Sequence, residues 1–260
     1  MTDPSTPIPA ATILMLRDGP NGLETFMVVR HHQIDFASGA LVFPGGKIDD
    51  GDFKVRDFCN GVSSADDTSV GLMAGAIREA FEECGILLAR ENGVSDLISG
   101  ERLSALEPYR DKLHKGELSF AEFLAQEHLT LACDKLQHFA HWITPPVLPK
   151  RFDTHFYLAS APADHLAIHD GHESVDSIWI TPADAAKGES DGTYTIIFPT
   201  LANVEMLGES ESVESAMDMA NNRNIVSILP WTEEREDGTY VCIPDDAGYT
   251  LYEQKFPEQV

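Results

Sequence analysis

Alternating and continuous apolar runs mark the strands of this chain. Residues 10–17 (Ala-Ala-Thr-Ile-Leu-Met-Leu-Arg) and 24–30 (Glu-Thr-Phe-Met-Val-Val-Arg) predict two strands joined by a turn at Asp18-Gly-Pro-Asn-Gly22. A helical period follows. At about 100° per residue, Met73, Ile77, Ala80, Phe81, Cys84 and Leu88 share an arc of roughly 100°. Glu79, Glu82 and Glu83 share a similar arc on the opposite side, and Gly85 stands where a helix C-terminus favours it.

Residues 101–128 predict one or two helices, with Ser119 and Glu122 forming a capping box at the second. Residues 136–159 read as a strand, a proline-punctuated loop and a second strand, and residues 172–180 as a further strand. Thr181 and Pro182 suit the N-cap and first position of a helix. Helices over 198–207 and 212–222 precede a tail hairpin around Glu236-Asp237-Gly238.

Neither a repeat nor a linker divides the chain, so residues 1–260 predict one elaborated domain. The elaborations are a polar, turn-rich insert at 53–70, expected on the surface, a helical insertion at 101–130 and a C-terminal extension at 205–260. The helical insertion could build part of a substrate pocket or a dimer face, so a homodimer stays open.

Charge narrows the function. Lys+Arg 18 against Asp+Glu 43 gives a net charge of −25. Nucleic acid and anionic membranes need a basic surface, so neither is an expected partner. A polyphosphate would be repelled by the global field, which leaves recognition to metal ions and a few local cations. The four cysteines are dispersed, as suits reduced thiols. With no secretory leader, no run of about 20 apolar residues and no peroxisomal C-terminus, the cytoplasm is the expected compartment.

The carboxylates at Glu79, Glu82 and Glu83 repel one another by a few tenths of a kcal/mol per pair. A solvated acidic face is one reading. The other is a cation between them, with hard oxygen ligands suiting Mg²⁺ or Mn²⁺. The preceding Leu41-Val-Phe-Pro-Gly45-Gly46, after a strand and before the helix, offers bare backbone to a metal or phosphate and favours the second reading. The pair His31-His32 could ligate metal or stand on a surface or substrate rim.

Gly46-x5-Asp52 followed by Arg78-Glu79-Ala80-x-Glu82-Glu83-x-Gly85-Ile86 resembles the Nudix box, G-x5-E-x7-R-E-U-x-E-E-x-G-U with U bulky and apolar. Two departures stand out: Asp52 replaces the usual Glu, and 25 residues (Phe53–Ile77) replace seven. The interrupted box, with Trp142-x-Thr-Pro145 and Lys150-Arg-Phe-Asp-Thr-x-Phe156, is similar to the coenzyme A diphosphatase branch of the Nudix family.

The resemblance implies an α/β fold, a Nudix-type α/β/α sandwich with a mixed sheet. Glu79, Glu82 and Glu83, with a backbone carbonyl of Gly45 or Gly46, would hold Mg²⁺ or Mn²⁺. Arg78 would orient Glu82 or Asp52. Glu79 is the first candidate for general base, followed by Glu173 and then Asp176. Arg30, ending its strand, is a candidate phosphate contact or an ordinary strand-end cation. Lys150 and Arg151 are phosphate contacts or a solvated turn, and Lys47 is grouped with them on the substrate side. The implied reaction is metal-dependent hydrolysis of the diphosphate in a small-molecule, nucleoside-diphosphate-linked substrate. Coenzyme A or acyl-coenzyme A would give 3′,5′-ADP and (acyl-)4′-phosphopantetheine. ADP-ribose or a dinucleotide is the alternative substrate, and a catalytically silent ligand sensor the alternative class.

Overall fold

The first two expected strands form one hairpin in the computed structural model, which describes residues 6–30, 39–165 and 174–256. They are β1 (Ile8–Gly19) and β2 (Gly22–Arg30). Short strands β3 (Leu41–Val42) and β4 (Gly45–Lys47) follow. A separate ribbon joins β5 (Ala89–Glu91) to β6 (Leu129–Leu131). The later strands are β7 (Gln137–Ile143), β8 (Phe152–Ser160), β9 (Ser174–Ile180) and β10 (Ser227–Ile228). A three-stranded meander of β11 (Trp231–Arg235), β12 (Gly238–Cys242) and β13 (Glu253–Lys255) contains the expected tail hairpin.

The main sheet runs β10-β7-β8-β1-β2-β3, with β4 added to β1 and β9 to β2. It is mixed, as the sequence implied: β1 is parallel to β8 and antiparallel to β2 and β4. The pairing of Thr12 with Gly45 and Ala11 with Gly46 lays the glycine pair along β1.

Alternation along β1 and β2 builds two cores. Ile13, Met15, Phe26 and Val28 face helix α1 (Asp67–Cys84), whose Ile77, Ala80, Phe81 and Cys84 are fully buried. Burying a large apolar side chain of this kind is worth about 1.5–3 kcal/mol. Leu14, Leu16 and Met27 take the opposite face. There the covering helices are α5 (Pro182–Ser190), started by the Thr181 cap, then α6 (Phe198–Leu207) and α7 (Val213–Asn222). Helices on both faces of a mixed sheet complete the α/β/α sandwich.

Three segments depart from or sharpen the sequence reading. The 53–70 insert lies at the surface but is anchored: most of its residues are exposed or half-buried, Val55, Val62 and Val70 are buried, and α1 begins at Asp67. Arg56 bonds the Val62 and Ala65 carbonyls and the Asp67 carboxylate, so the insert satisfies its own polar groups while its valines turn inward. The 101–130 insertion holds three helices, α2 (Gly100–Leu106), α3 (Pro108–His114) and α4 (Phe120–Gln126). The Ser119–Glu122 capping box forms at α4, whose Phe123 stacks on Phe81 at 5.5 Å between centroids. Leu88, placed on the helical arc by period, lies beyond the end of α1 but is buried.

Helix α1 ends where Gly85 adopts φ 68°, a left-handed conformation that costs glycine little. Arg110 of α3 donates to the Glu82 carbonyl at 2.9 Å, tying the helical insertion to the end of α1. On the α1 side of β7 and β8 three imidazoles stack. Burial first, then the neighbouring imidazoles, lowers His138 and His155 to about 4.

Candidate active site

The Nudix-type residues meet at the point where α1 crosses the β4 edge. Arg78 is 6% exposed and central to them. Its Nε donates to Asp52 Oδ1 at 2.9 Å and its Nη2 to Asp52 Oδ2 at 3.0 Å, a bidentate pair. Nη2 also donates to the Lys47 carbonyl, while Nη1 reaches Glu82 at 3.2 Å and Glu79 at 2.9 Å. Burial disfavours the Arg78 charge. The Asp52 hydrogen bonds and the charges of Glu79, Asp52 and Glu82 outweigh it, so Arg78 is held above its ordinary pKa and stays charged.

The three box carboxylates are not a solvated face. Glu82 and Glu83 are 8% and 7% exposed. Burial, opposed by Arg78, pushes the Glu82 carboxyl up. Glu83 accepts the Gly45 N–H at 2.9 Å, which joins α1 to the strand edge. Gly45 cannot carry a side chain, because a Cβ would sit 2.4 Å from the Ala11 carbonyl oxygen. A Cβ on Gly46 would sit 2.7 Å from the Glu79 carboxylate. The glycine pair therefore lets backbone approach carboxylate directly.

Asp52, Glu79 and Glu82 gather around one guanidinium, and Glu83 follows on the same helix against Gly45. Two of Arg78's donors are committed to Asp52. The remaining set is oxygen-only, which fits a hard divalent cation of the Mg²⁺ or Mn²⁺ kind.

Glu79, Glu82, Gly45 and Gly46 open onto a cleft of about 1250 Å³. Arg30, Lys47 and Lys150 line it. The Nε of Arg30 is buried and has no hydrogen-bond partner among the described residues. Arg151 does not join them. It is 8% exposed and its Nε donates to the Thr144 carbonyl at 2.8 Å, so it closes the proline loop instead of facing the cleft. Asp176 is exposed on β9, where its carboxylate accepts the neighbouring Ser177 N–H. Glu173 and the His31-His32 pair lie outside the described residues.

Two basic cleft residues escaped the sequence reading. His114 ends α3 and its charge acts on Glu82. Lys255 on β13 enters from the C-terminal extension and also pairs with Asp237 at 3.5 Å. A basic final turn in 101–130 was visible; nothing local marked Lys255. Trp142, Phe156 and Phe198 supply apolar wall.

A sheet edge bearing paired glycines, crossed by a helix with an Arg-anchored carboxylate set, defines a Nudix pyrophosphohydrolase. The chain belongs to this family, its residues 62–207 matching the NUDT19 Nudix domain. Over 270 residues it is 23% identical to the acyl-coenzyme A diphosphatase NUDT19 of Xenopus laevis, an alignment covering 87% of this chain and 71% of the relative. It is 24% identical to putative nudix hydrolase 7 of Caenorhabditis elegans, over 86% of this chain and 68% of the relative. A crystal structure of a Nudix hydrolase from Alicyclobacillus acidocaldarius is similar at a TM-score of 0.68 and 27% identity. That match covers 82% of this chain and 96% of the other. Among the described residues no helix is long and apolar enough to cross a membrane.

Proposed function

We propose that this Nudix hydrolase cleaves the diphosphate of coenzyme A or acyl-coenzyme A, releasing 3′,5′-ADP and (acyl-)4′-phosphopantetheine. The observation that carries the reading is one cleft holding both a carboxylate set and separate cations. Glu79 and Glu82 stand at one side, with Arg30, Lys47, Lys150 and Lys255 on the lining. A coenzyme A molecule carries a diphosphate and a further phosphate, so it needs several local cations in a chain of net charge −25. The cleft, at about 1250 Å³, exceeds the roughly 300–1,000 Å³ of ordinary small-molecule sites. Kinship to a protein named as an acyl-coenzyme A diphosphatase supports the same substrate class.

Glu79, Glu82 and Glu83, with a carbonyl of the glycine pair, would hold Mg²⁺ or Mn²⁺. When bound, such an ion neutralises charge on the diphosphate and makes water more acidic. Glu79 accepts the proton of the water that attacks phosphorus; a P–O bond forms and the bridging P–O bond breaks. Arg78 is a positioning residue that fixes Glu79 and Glu82 by holding them against Asp52. Arg30 and the lysines orient the phosphates, and the apolar wall takes the pantetheine arm and excludes water.

The test incubates purified protein and Mg²⁺ or Mn²⁺ with coenzyme A, acetyl-coenzyme A, ADP-ribose, NADH and diadenosine polyphosphates. Products are identified by mass, with Glu83→Gln in parallel. Metal-dependent 3′,5′-ADP from wild type, and its loss in the variant, is the expected result. AMP from ADP-ribose or NADH with coenzyme A intact would overturn the substrate.

A further inference from the structure

The β7–β8 hairpin that walls the cleft carries a second cluster on its other face. Along β8, Thr154 and Phe156 line the cleft, so by strand alternation Asp153 and His155 point the opposite way. His141 on β7 is the direct register partner of His155, and their rings stack with centroids 4.0 Å apart. One ligand atom from each of His141, Asp153 and His155 lies within 4.8 Å of the others. His141 Nε2 already contacts Asp153 Oδ1.

The outer nitrogens of both imidazoles are engaged. His141 Nδ1 is 2.7 Å from Ser227 Oγ on β10, and His155 Nδ1 is 3.0 Å from His138 Nε2. An ion at this place would replace the proton shared by His141 Nε2 and Asp153 and leave each Nδ1 to its outer partner, and a partner on the far nitrogen is the usual support of a metal-binding histidine. Zinc bound at about 2.0–2.1 Å places its ligand atoms roughly 3.3 Å apart, so closing the triad on an ion turns the near-parallel His141 and His155 rings until both lone pairs converge. The His141 and Asp153 side chains are 15% and 39% exposed, which leaves an entry path and room for water to complete coordination.

We propose that His141, Asp153 and His155 bind one divalent transition ion of the zinc type, clamping β7 to β8 behind the cleft. Two imidazoles and a carboxylate favour such an ion, whereas the oxygen-only set around Glu79 favours Mg²⁺. The two sites are therefore separable by metal.

The test titrates metal-stripped full-length protein with Zn²⁺ in excess Mg²⁺, following heat and melting temperature. One Zn²⁺ per chain is expected, with a rise in Tm, in wild type and in the double variant E79Q/E83Q. Asp153→Asn and His155→Gln should each weaken binding at least tenfold and remove the rise in Tm. If H155Q does not fold, D153N at the more exposed position carries the comparison, with near-UV circular dichroism confirming its fold. Anomalous scattering from Zn²⁺-soaked crystals should peak between the three side chains. No Zn²⁺ binding in excess Mg²⁺, undiminished binding in D153N, or an anomalous peak at the Glu79 carboxylates alone would overturn the site.

Discussion

Arg78 and Asp52 stand 26 positions apart in sequence yet form a bidentate pair, with Nε–Oδ1 at 2.9 Å and Nη2–Oδ2 at 3.0 Å. The short Asp side chain suffices because a tight turn at Asp52–Lys54 is packed directly on α1. A Cβ on Gly75 would lie 3.0 Å from Asp52 Oδ2 and 2.4 Å from Ile48 Cδ1, so the loop approaches as closely as bare backbone permits. The long interruption of the box leaves this geometry intact, because the intervening residues fold back into the core beneath α1.

Breaking this pair should unsettle both fold and site. Arg78→Lys replaces a fork by a point charge and strips the fully buried Asp52 of one hydrogen bond. Losing a hydrogen bond to a charged group costs about 1.5–3 kcal/mol. R78K should lose that stability in urea unfolding and also lose turnover, since Glu79 and Glu82 share the same guanidinium. A loss under about 1 kcal/mol would show that the pair does not organise the box.

Gly46→Ala separates the site from the fold. Its Cβ meets the Glu79 carboxylate at 2.7 Å, and the flexible end of that side chain is what moves. Displacing a general base should lower kcat by about 10²–10⁴-fold. Overpacking costs about 1–3 kcal/mol. Steady-state kinetics beside a thermal melt checks the split; a G46A enzyme with near-normal kcat would remove Glu79 from its assigned role.

Arg30 and Arg151 looked alike in sequence as candidate phosphate contacts, and the structure sends them to different duties. Arg30 lines the cleft with its buried Nε lacking a partner among the described residues, whereas Arg151 bonds the Thr144 carbonyl. Arg30→Met should remove a charge-assisted contact of about 1.5–3 kcal/mol, raising KM for coenzyme A roughly 10- to 150-fold with Tm nearly unchanged. Arg151→Met should lower Tm and leave KM close to wild type. The reverse pattern would exchange the two assignments.

That contrast shows where sequence stops informing. The box helix was legible because apolar period, clustered carboxylates and a terminal glycine coincide locally in α1. The β1–β2 hairpin and the Ser119–Glu122 capping box were legible for the same reason. Burial of Val55 and Val62 was not, because Arg56 satisfies the insert's polar groups through contacts that composition does not reveal. Lys255 reaches the cleft through the packing of a distant meander, and no pattern within residues 253–255 encodes that. The triad of His141, Asp153 and His155 depends on β7–β8 register, with a bulge near His138 that period 2 does not anticipate.

Acid should act on the helical insertion through Glu127. Its carboxylate accepts from Tyr109 and from Arg102, at 2.8 Å for the latter. The Tyr109 hydrogen bond first, and Arg102 next, hold its pKa below the usual carboxylate value. The unfolded chain therefore takes up a proton before the folded one as pH falls. The stabilisation is present above the unfolded carboxylate pKa and is lost as pH drops through the folded value. Glu127→Gln keeps the shape but removes the charge, so at pH 7 it should cost about 1 kcal/mol. For a chain of this size that lowers Tm by about 2–4 °C. The gap between E127Q and wild type should close as melts are repeated at progressively lower pH through the carboxylate range. A gap that stays constant with pH would mean that Glu127 acts through packing and not through its charge.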